Sequence, residues 1–176
     1  MGCDIHAVVE RVNKWESGRE EWLVAGEPDY IGRDYTLFAV LGNVRNGDDI
    51  PFIGEYRLEK SEYGDWACSD LFADSIKAWN GDGHSHGYVT LKELKEFDIN
   101  QTYNNSNLIT SKDENGKITS TCGSTTGKHL GKVGETTIFG VWGTETWDKL
   151  IKDLTHIKER YELDDDKVRL VFFFDN

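Results

Sequence analysis

The sequence predicts an α+β fold: an antiparallel or mixed sheet containing both chain-terminal strands, packed by three to four helices, with a polar hairpin excursion. Three observations predict it. Strand-like runs stand at the two ends of the chain, helical periodicities lie between them, and residues 100–134 lose aromatics and fill with Asn, Ser, Thr and Gly. At 176 residues a single domain over 1–176 is expected, since a chain of this size buries roughly 70% of its unfolded surface. The core material is present, with 38% hydrophobic residues and six Trp, eight Phe and seven Tyr. Aromatic side chains supply large buried areas.

Taken in order, residues 3–12 read as a strand carrying Ile5, Val8, Val9 and Val12, and 13–18 supply a turn. Residues 21–25 are its hairpin partner. Asp34 is placed to cap a helix over 35–41, whose Leu37, Phe38 and Leu41 share a face, and Gly42 ends it. Residues 43–67 carry a turn signal at Asn46-Gly47-Asp48-Asp49 and a Pro51 that discourages helix. Ser69 caps a second helix over 70–79, with Phe72, Ile76 and Trp79 at helical spacing. Residues 81–87 read as a loop. Thr90 and Glu93 then form a capping box for a helix over 91–97.

The excursion over about 100–134 reads as a mobile hairpin, pairing 108–110 with 117–119 around Asp113-Glu114-Asn115-Gly116. It holds too little apolar area for a second domain. Residues 138–142 read as a further strand. Thr144 caps a long helix to about Tyr161, with Trp147, Leu150, Ile151, Leu154, Ile157 and Tyr161 in one stripe. Asp164-Asp165-Asp166 break it. The last strand, 168–174, is apolar on both faces, which predicts a central position beside the N-terminal strand.

Charge excludes several functions. With 32 acidic against 20 basic residues the net charge is −12, which opposes general nucleic-acid binding and repels anionic membranes. The acids are spread along the chain, which fits plain solubility; a sharper reading is an acidic mimic of nucleic acid. Cys3, Cys68 and Cys122 are an odd number at wide spacings, which fits a reducing cytoplasm better than a disulfide framework. There is no apolar run of membrane-spanning length and no secretion-signal pattern. Met1-Gly2-Cys3 lacks the Ser or Thr that myristoylation wants at position six, where His6 stands.

The polar chemistry concentrates in two segments, Cys3-Asp4-Ile5-His6 and Asp82-Gly83-His84-Ser85-His86. In a strand Asp4 and His6 share a face ~7 Å apart, a pairing suited to metal ligation or acid–base work. His84-x-His86 can turn two imidazoles to one ion, zinc, manganese or iron, among flexible glycines. Together Asp4, His6, Asp82, His84 and His86 would furnish one metal centre for hydrolysis, with Asp4, His6 and His84 as the candidate catalytic groups. Each also has an ordinary reading: Asp4 as a turn cap, His6 as a half-buried sheet residue, the second segment as a glycine-rich turn. The HxH superficially resembles that of amidohydrolase-type enzymes, but those need a large barrel that this chain is too short to form. Gly123 to His129 is one residue short of a phosphate loop and has His129 where the magnesium-holding hydroxyl belongs. Cys3 and His6 point to opposite faces of a strand, so the imidazole is not placed to activate the thiol. Arg45, just after the first helix, suits a carboxylate or phosphate. Asp175 ends the last strand, where ligands collect in sheet proteins.

Several blocks resemble a group of small phage- and prophage-encoded proteins. They are Met1-Gly2-Cys3-Asp4-Ile5-His6, Leu37-Phe38-Ala39 with Val44-Arg45-Asn46, and His84-Ser85-His86 running on to Leu91. The last is Val168-Arg169-Leu170-Val171-Phe172-Phe173-Phe174-Asp175-Asn176. The chain departs from that pattern between Gly47 and Asp65. The resemblance implies a setting, the cytoplasm of an infected bacterium, and no reaction. Its blocks fall on the two polar segments, on Arg45 and on the final strand, making Arg45, Ser85 and Asp175 candidate ligand-binding residues. The leading expectation is an accessory protein that binds and blocks a host protein or sequesters a small host defence signal. A metal-dependent hydrolase and a nucleic-acid mimic are the alternatives, and a homo-oligomer stays open.

Overall fold

A computed structural model of the chain describes residues 2–54, 57–62, 64–79, 81–104, 110–112, 118–120, 135–139 and 143–175. The strands β1 (Asp4–Lys14) and β2 (Glu20–Gly26) form the N-terminal hairpin, and α1 (Tyr35–Gly42) and α2 (Asp70–Ala78) follow. Next come β3 (His84–Thr90), α3 (Leu91–Glu96), β4 (Thr102–Asn104), β5 (Thr110–Lys112), β6 (Ile118–Ser120) and β7 (Glu135–Thr137). The chain closes with α4 (Glu145–Arg160), a single 3₁₀ turn and β8 (Val168–Asp175).

The α+β expectation holds. A four-stranded antiparallel sheet runs in the order β2-β1-β8-β3, so both chain-terminal strands are central and paired with each other. Every residue of β8 is buried, as its two apolar faces require. Because paired residues share a face, the register Asp4↔Asp175, His6↔Phe173, Val8↔Val171 and Glu10↔Arg169 defines one side of the sheet. On the other side Leu170, Phe172 and Phe174 join Val9, Val89, Leu37, Phe38, Leu41, Leu150 and Leu154 in the main core. The polar side carries a smaller cluster, with Leu58, Phe72 and Ile76 packed on Val171 and Phe173.

The helix signals read from sequence appear as bonds. Asp34 accepts from the Leu37 amide, Ser69 from the Phe72 amide, and Thr90 with Glu93 makes a reciprocal capping box. Thr144 differs: its hydroxyl donates to Asp148 at 2.7 Å and caps no backbone amide. Residues 81–87 also differ, since β3 begins at His84 inside the expected loop. The strand expected at 138–142 lies earlier, in β7, which pairs with β4, and Ile138 and Phe139 are buried after it. Residues 140–142 lie outside the described residues. Strands β5 and β6 pair as a hairpin with Ser111 opposite Thr119. Its turn, the phosphate-loop look-alike 123–129 and Cys122 lie outside the described residues, as does most of the 100–134 excursion.

Candidate functional site

The end of the sheet where β1 begins and β8 ends gathers most of the first polar segment. His6 Nε2 lies 3.1 Å from Asp175 Oδ2, and the Asp4 amide donates to Asp175 Oδ1 at 3.0 Å. The two strands are thus tied diagonally by one carboxylate, a geometry open to same-face neighbours two residues apart in register. Asp4 turns its own side chain outward to Arg33, which donates from Nε and Nη2 at 2.5 and 2.7 Å, a bidentate fork. That guanidinium holds the Asp4 carboxyl below the usual carboxylate range. On the opposite face Cys3 is fully buried in the main core. Burial pushes its thiol up, and a hydrogen bond from Arg45 opposes that shift. Arg45 is therefore engaged with Cys3.

An aromatic row crosses the polar face over three strands. Trp79 lies on the His6 ring, centroids 4.3 Å apart, and His6 stacks on Phe173 at 4.7 Å. Phe173 in turn stacks on His86 at 5.6 Å, and His86 on Trp66 at 4.5 Å. The first and second polar segments thus stand on opposite sides of β8 with Phe173 between them. Two strand spacings, ~10 Å, separate them.

A β-bulge decides what the second segment can do. His84 pairs with Phe174 and Gly87 with Phe172, so Ser85 and His86 together oppose Phe173. Ser85 takes the extra turn in the left-handed region, φ 52°, and is buried. The usual two-residue alternation is broken, and the rings of His84 and His86 lie against Phe174 and Phe173, which alternate across the sheet. His84 Nδ1 meets Ser85 Oγ at 2.9 Å. The Nε2 atoms of His84 and His86 are buried without a hydrogen-bond partner among the described residues. Asp82 is exposed in the turn before them.

The residues expected to share one metal centre are not brought together. β8 divides Asp4 and His6 from His84 and His86, the bulge parts the two imidazoles, and Arg33 occupies Asp4. Among the described residues no three His, Cys, Asp or Glu side chains are grouped to hold a metal ion.

Beside His6 runs a groove of about 450 Å³, lined by Ile5, His6, Ala7 and Val8 of β1. Its far wall is Glu27, Pro28, Asp29 and Ile31, and Leu71, Phe72 and Ser75 of α2 close one side. Leu71 is 63% exposed. Arg33, Trp66 and Leu71 escaped the sequence reading, which placed Trp79 only in the apolar spacing of the second helix and not at a site; the exposed apolar position at Leu71, off the buried stripe of its helix, offered a signal.

The chain matches no protein-family model, no curated protein and no solved structure. Among the described residues no helix is long and apolar enough to cross a membrane.

Proposed function

We propose that this chain is a binding protein that occupies and blocks a host factor in the bacterial cytoplasm, a phage-encoded accessory protein. The observation that carries the reading is the groove along β1: it joins the His6 ring to an exposed Leu71 and two exposed carboxylates, Glu27 and Asp29. An exposed apolar anchor with a polar rim is the anatomy of an interaction site. The nearby polar groups are turned to holding structure. Asp4 is paired with Arg33 and His6 with Asp175. The resemblance to phage-encoded proteins supplies the setting and the class of partner.

The test is capture from a bacterial lysate on immobilised protein, with Leu71→Asp alongside. A host protein retained by the natural chain and lost with Leu71→Asp supports the reading. A small signal would instead appear by mass spectrometry after denaturing the purified protein. No host protein retained by the natural chain, with no small molecule released, overturns the proposal; a host protein retained equally by both chains removes the groove as its site.

A further inference from the structure

We infer that the groove takes an extended, basic segment of a partner protein, which adds to the sheet as a strand along the free edge of β1. The inference rests on the binding reading above and names the partner's chemistry.

The edge is a matter of register. β2 pairs with β1 only from Val9 to Lys14, whereas β8 pairs with it from Asp4 to Arg11. Over residues 4–8, β1 therefore has a ladder partner on one side alone among the described residues. Burial agrees: Asp4 through Val8 are all partly exposed, and Val9 and Glu10, where β2 joins, are buried. The direction of the free groups follows from alternation. The Asp4 amide points to Asp175 on the β8 side, so the N–H and C=O groups of Ile5 and Ala7 point the other way, into the groove.

Exposed strand edges are ordinarily blunted by Lys, Pro, a bulge or a covering element. Residues 4–8, Asp-Ile-His-Ala-Val, carry no Lys or Pro, and the β1–β2 irregularity lies beyond them at Val9/Glu10. Extended peptides bind such edges through main-chain hydrogen bonds, and flanking pockets choose the side chains. Here the chooser is acidic. Glu27 and Asp29 are exposed on the far wall, and no cation pairs with either among the described residues. Arg33, the cation of that segment, is held by Asp4. Leu71 offers an apolar contact beside them. Edge-to-edge pairing of two copies would instead bring Glu27 and Asp29 against their own kind in a chain of net charge −12, so a basic partner is favoured over self-association.

The probe is the peptide acetyl-(Lys-Val)₃-amide, with a Glu-for-Lys version and one with every backbone amide N-methylated. Amide hydrogen exchange of Ile5 and Ala7 is followed by NMR in the full chain. The Lys peptide is expected to slow both amides by about fivefold or more, the factor to which about 1 kcal/mol per added bond corresponds. The Glu and N-methylated peptides should not, and Glu27→Gln with Asp29→Asn should erase the preference for Lys. Ala7→Pro removes an outward donor at an edge position where proline is tolerated, and should weaken the Lys peptide; the N-methylated peptide carries the test should that variant unfold. Four results overturn the inference: Ile5 and Ala7 already slow in the free protein, equal binding of the N-methylated or Glu peptide, no binding at millimolar peptide, or a concentration-dependent dimer that buries the edge. If a host protein is still captured through Leu71 in any of these cases, strand addition fails and the binding reading stands. If the Lys peptide seats on the edge and the lysate yields nothing, the converse holds.

Discussion

His6 and Asp175 join the first and last strands of the chain, Nε2 to Oδ2 at 3.1 Å, beneath the Trp79 ring. The same carboxylate accepts the Asp4 amide, so one side chain at the C-terminal end of β8 serves two donors on β1. Replacing Asp175 with Ala leaves both without an acceptor and should cost about 1–3 kcal/mol. Asp175→Asn retains an acceptor for the Asp4 amide and should lose less. The urea midpoint, at unchanged slope, measures the difference.

A second pair lies two steps further along the same face. Glu10 and Arg169, directly opposed in the ladder, are buried together, with Nη2 to Oε2 at 2.7 Å. Glu10 also accepts the Ser69 amide at 2.8 Å, and Arg169 donates to the Ala67 carbonyl. Trp22 and Tyr88 lie at 3.8 and 4.7 Å from the guanidinium. Removing one ion strands the other in the interior, so Arg169→Met should cost about 3–5 kcal/mol. Glu10→Leu combined with Arg169→Met should cost less than the sum of the single changes, as a double-mutant cycle by urea unfolding would read.

Much of this fold was legible because its signals are local or periodic. The caps at Asp34 and Ser69, the Thr90–Glu93 box, the α4 stripe and the two apolar faces of Val168 to Phe174 need only neighbouring residues to be seen. The site was legible in its parts and not in its assembly. Asp4 and His6 share a face as strand alternation requires, but His84 and His86 do not, because Ser85 adopts a left-handed turn that a regular strand would not contain. Glu10 with Arg169 joins residues 159 apart, and in sequence each is an unremarked polar residue in a strand. The open edge at residues 4–8 arises from where β2 stops pairing, which depends on the course of the chain after Gly26.

His86 sets a pH dependence. Burial disfavours its protonated form, and Lys60 and His84 add to the effect, so its pKa lies below the ordinary 6.5. In the unfolded chain the ring takes up a proton as pH falls through 6.5, and in the folded chain it does so only at lower pH. The unfolded state then binds more protons, and stability falls with falling pH in that window, by at most about 1.4 kcal/mol per pH unit for one group. His86→Phe should flatten urea stability between pH 7 and the carboxylate range (about 4–5). Glu93 acts lower: burial would raise its carboxyl, but hydrogen bonds from Thr90 and Arg57 outweigh that and hold it below 4.5. Its contribution is lost only as pH falls through that lowered value.

The division of the histidines by β8 predicts little metal. Protein purified without a nickel column should carry zinc, manganese and iron well below one equivalent, and His6→Ala and His84→Ala should leave that content unchanged. Elemental analysis decides it. Stoichiometric metal that disappears with both variants would mean that the two segments come together in a way the pairing of β1, β8 and β3 does not allow.

Gly87, which follows the bulge, lets β3 lie close against Phe172. A Cβ there would stand 2.9 Å from both Cε2 and Cζ of Phe172, and that ring is fully buried between sheet and helices. The ring has nowhere to retreat, because close-packed cores hold few voids. Gly87→Ala should therefore destabilise by about 1–3 kcal/mol, the usual range for an added methyl in a packed core. Gly47→Ala, which meets nothing within 4 Å, is the control and should be nearly neutral. Adding Phe172→Leu to Gly87→Ala should recover part of the loss if the ring is the obstacle. A loss that Phe172→Leu does not touch would place the constraint in the backbone at the bulge, in the same turn that parts His84 from His86.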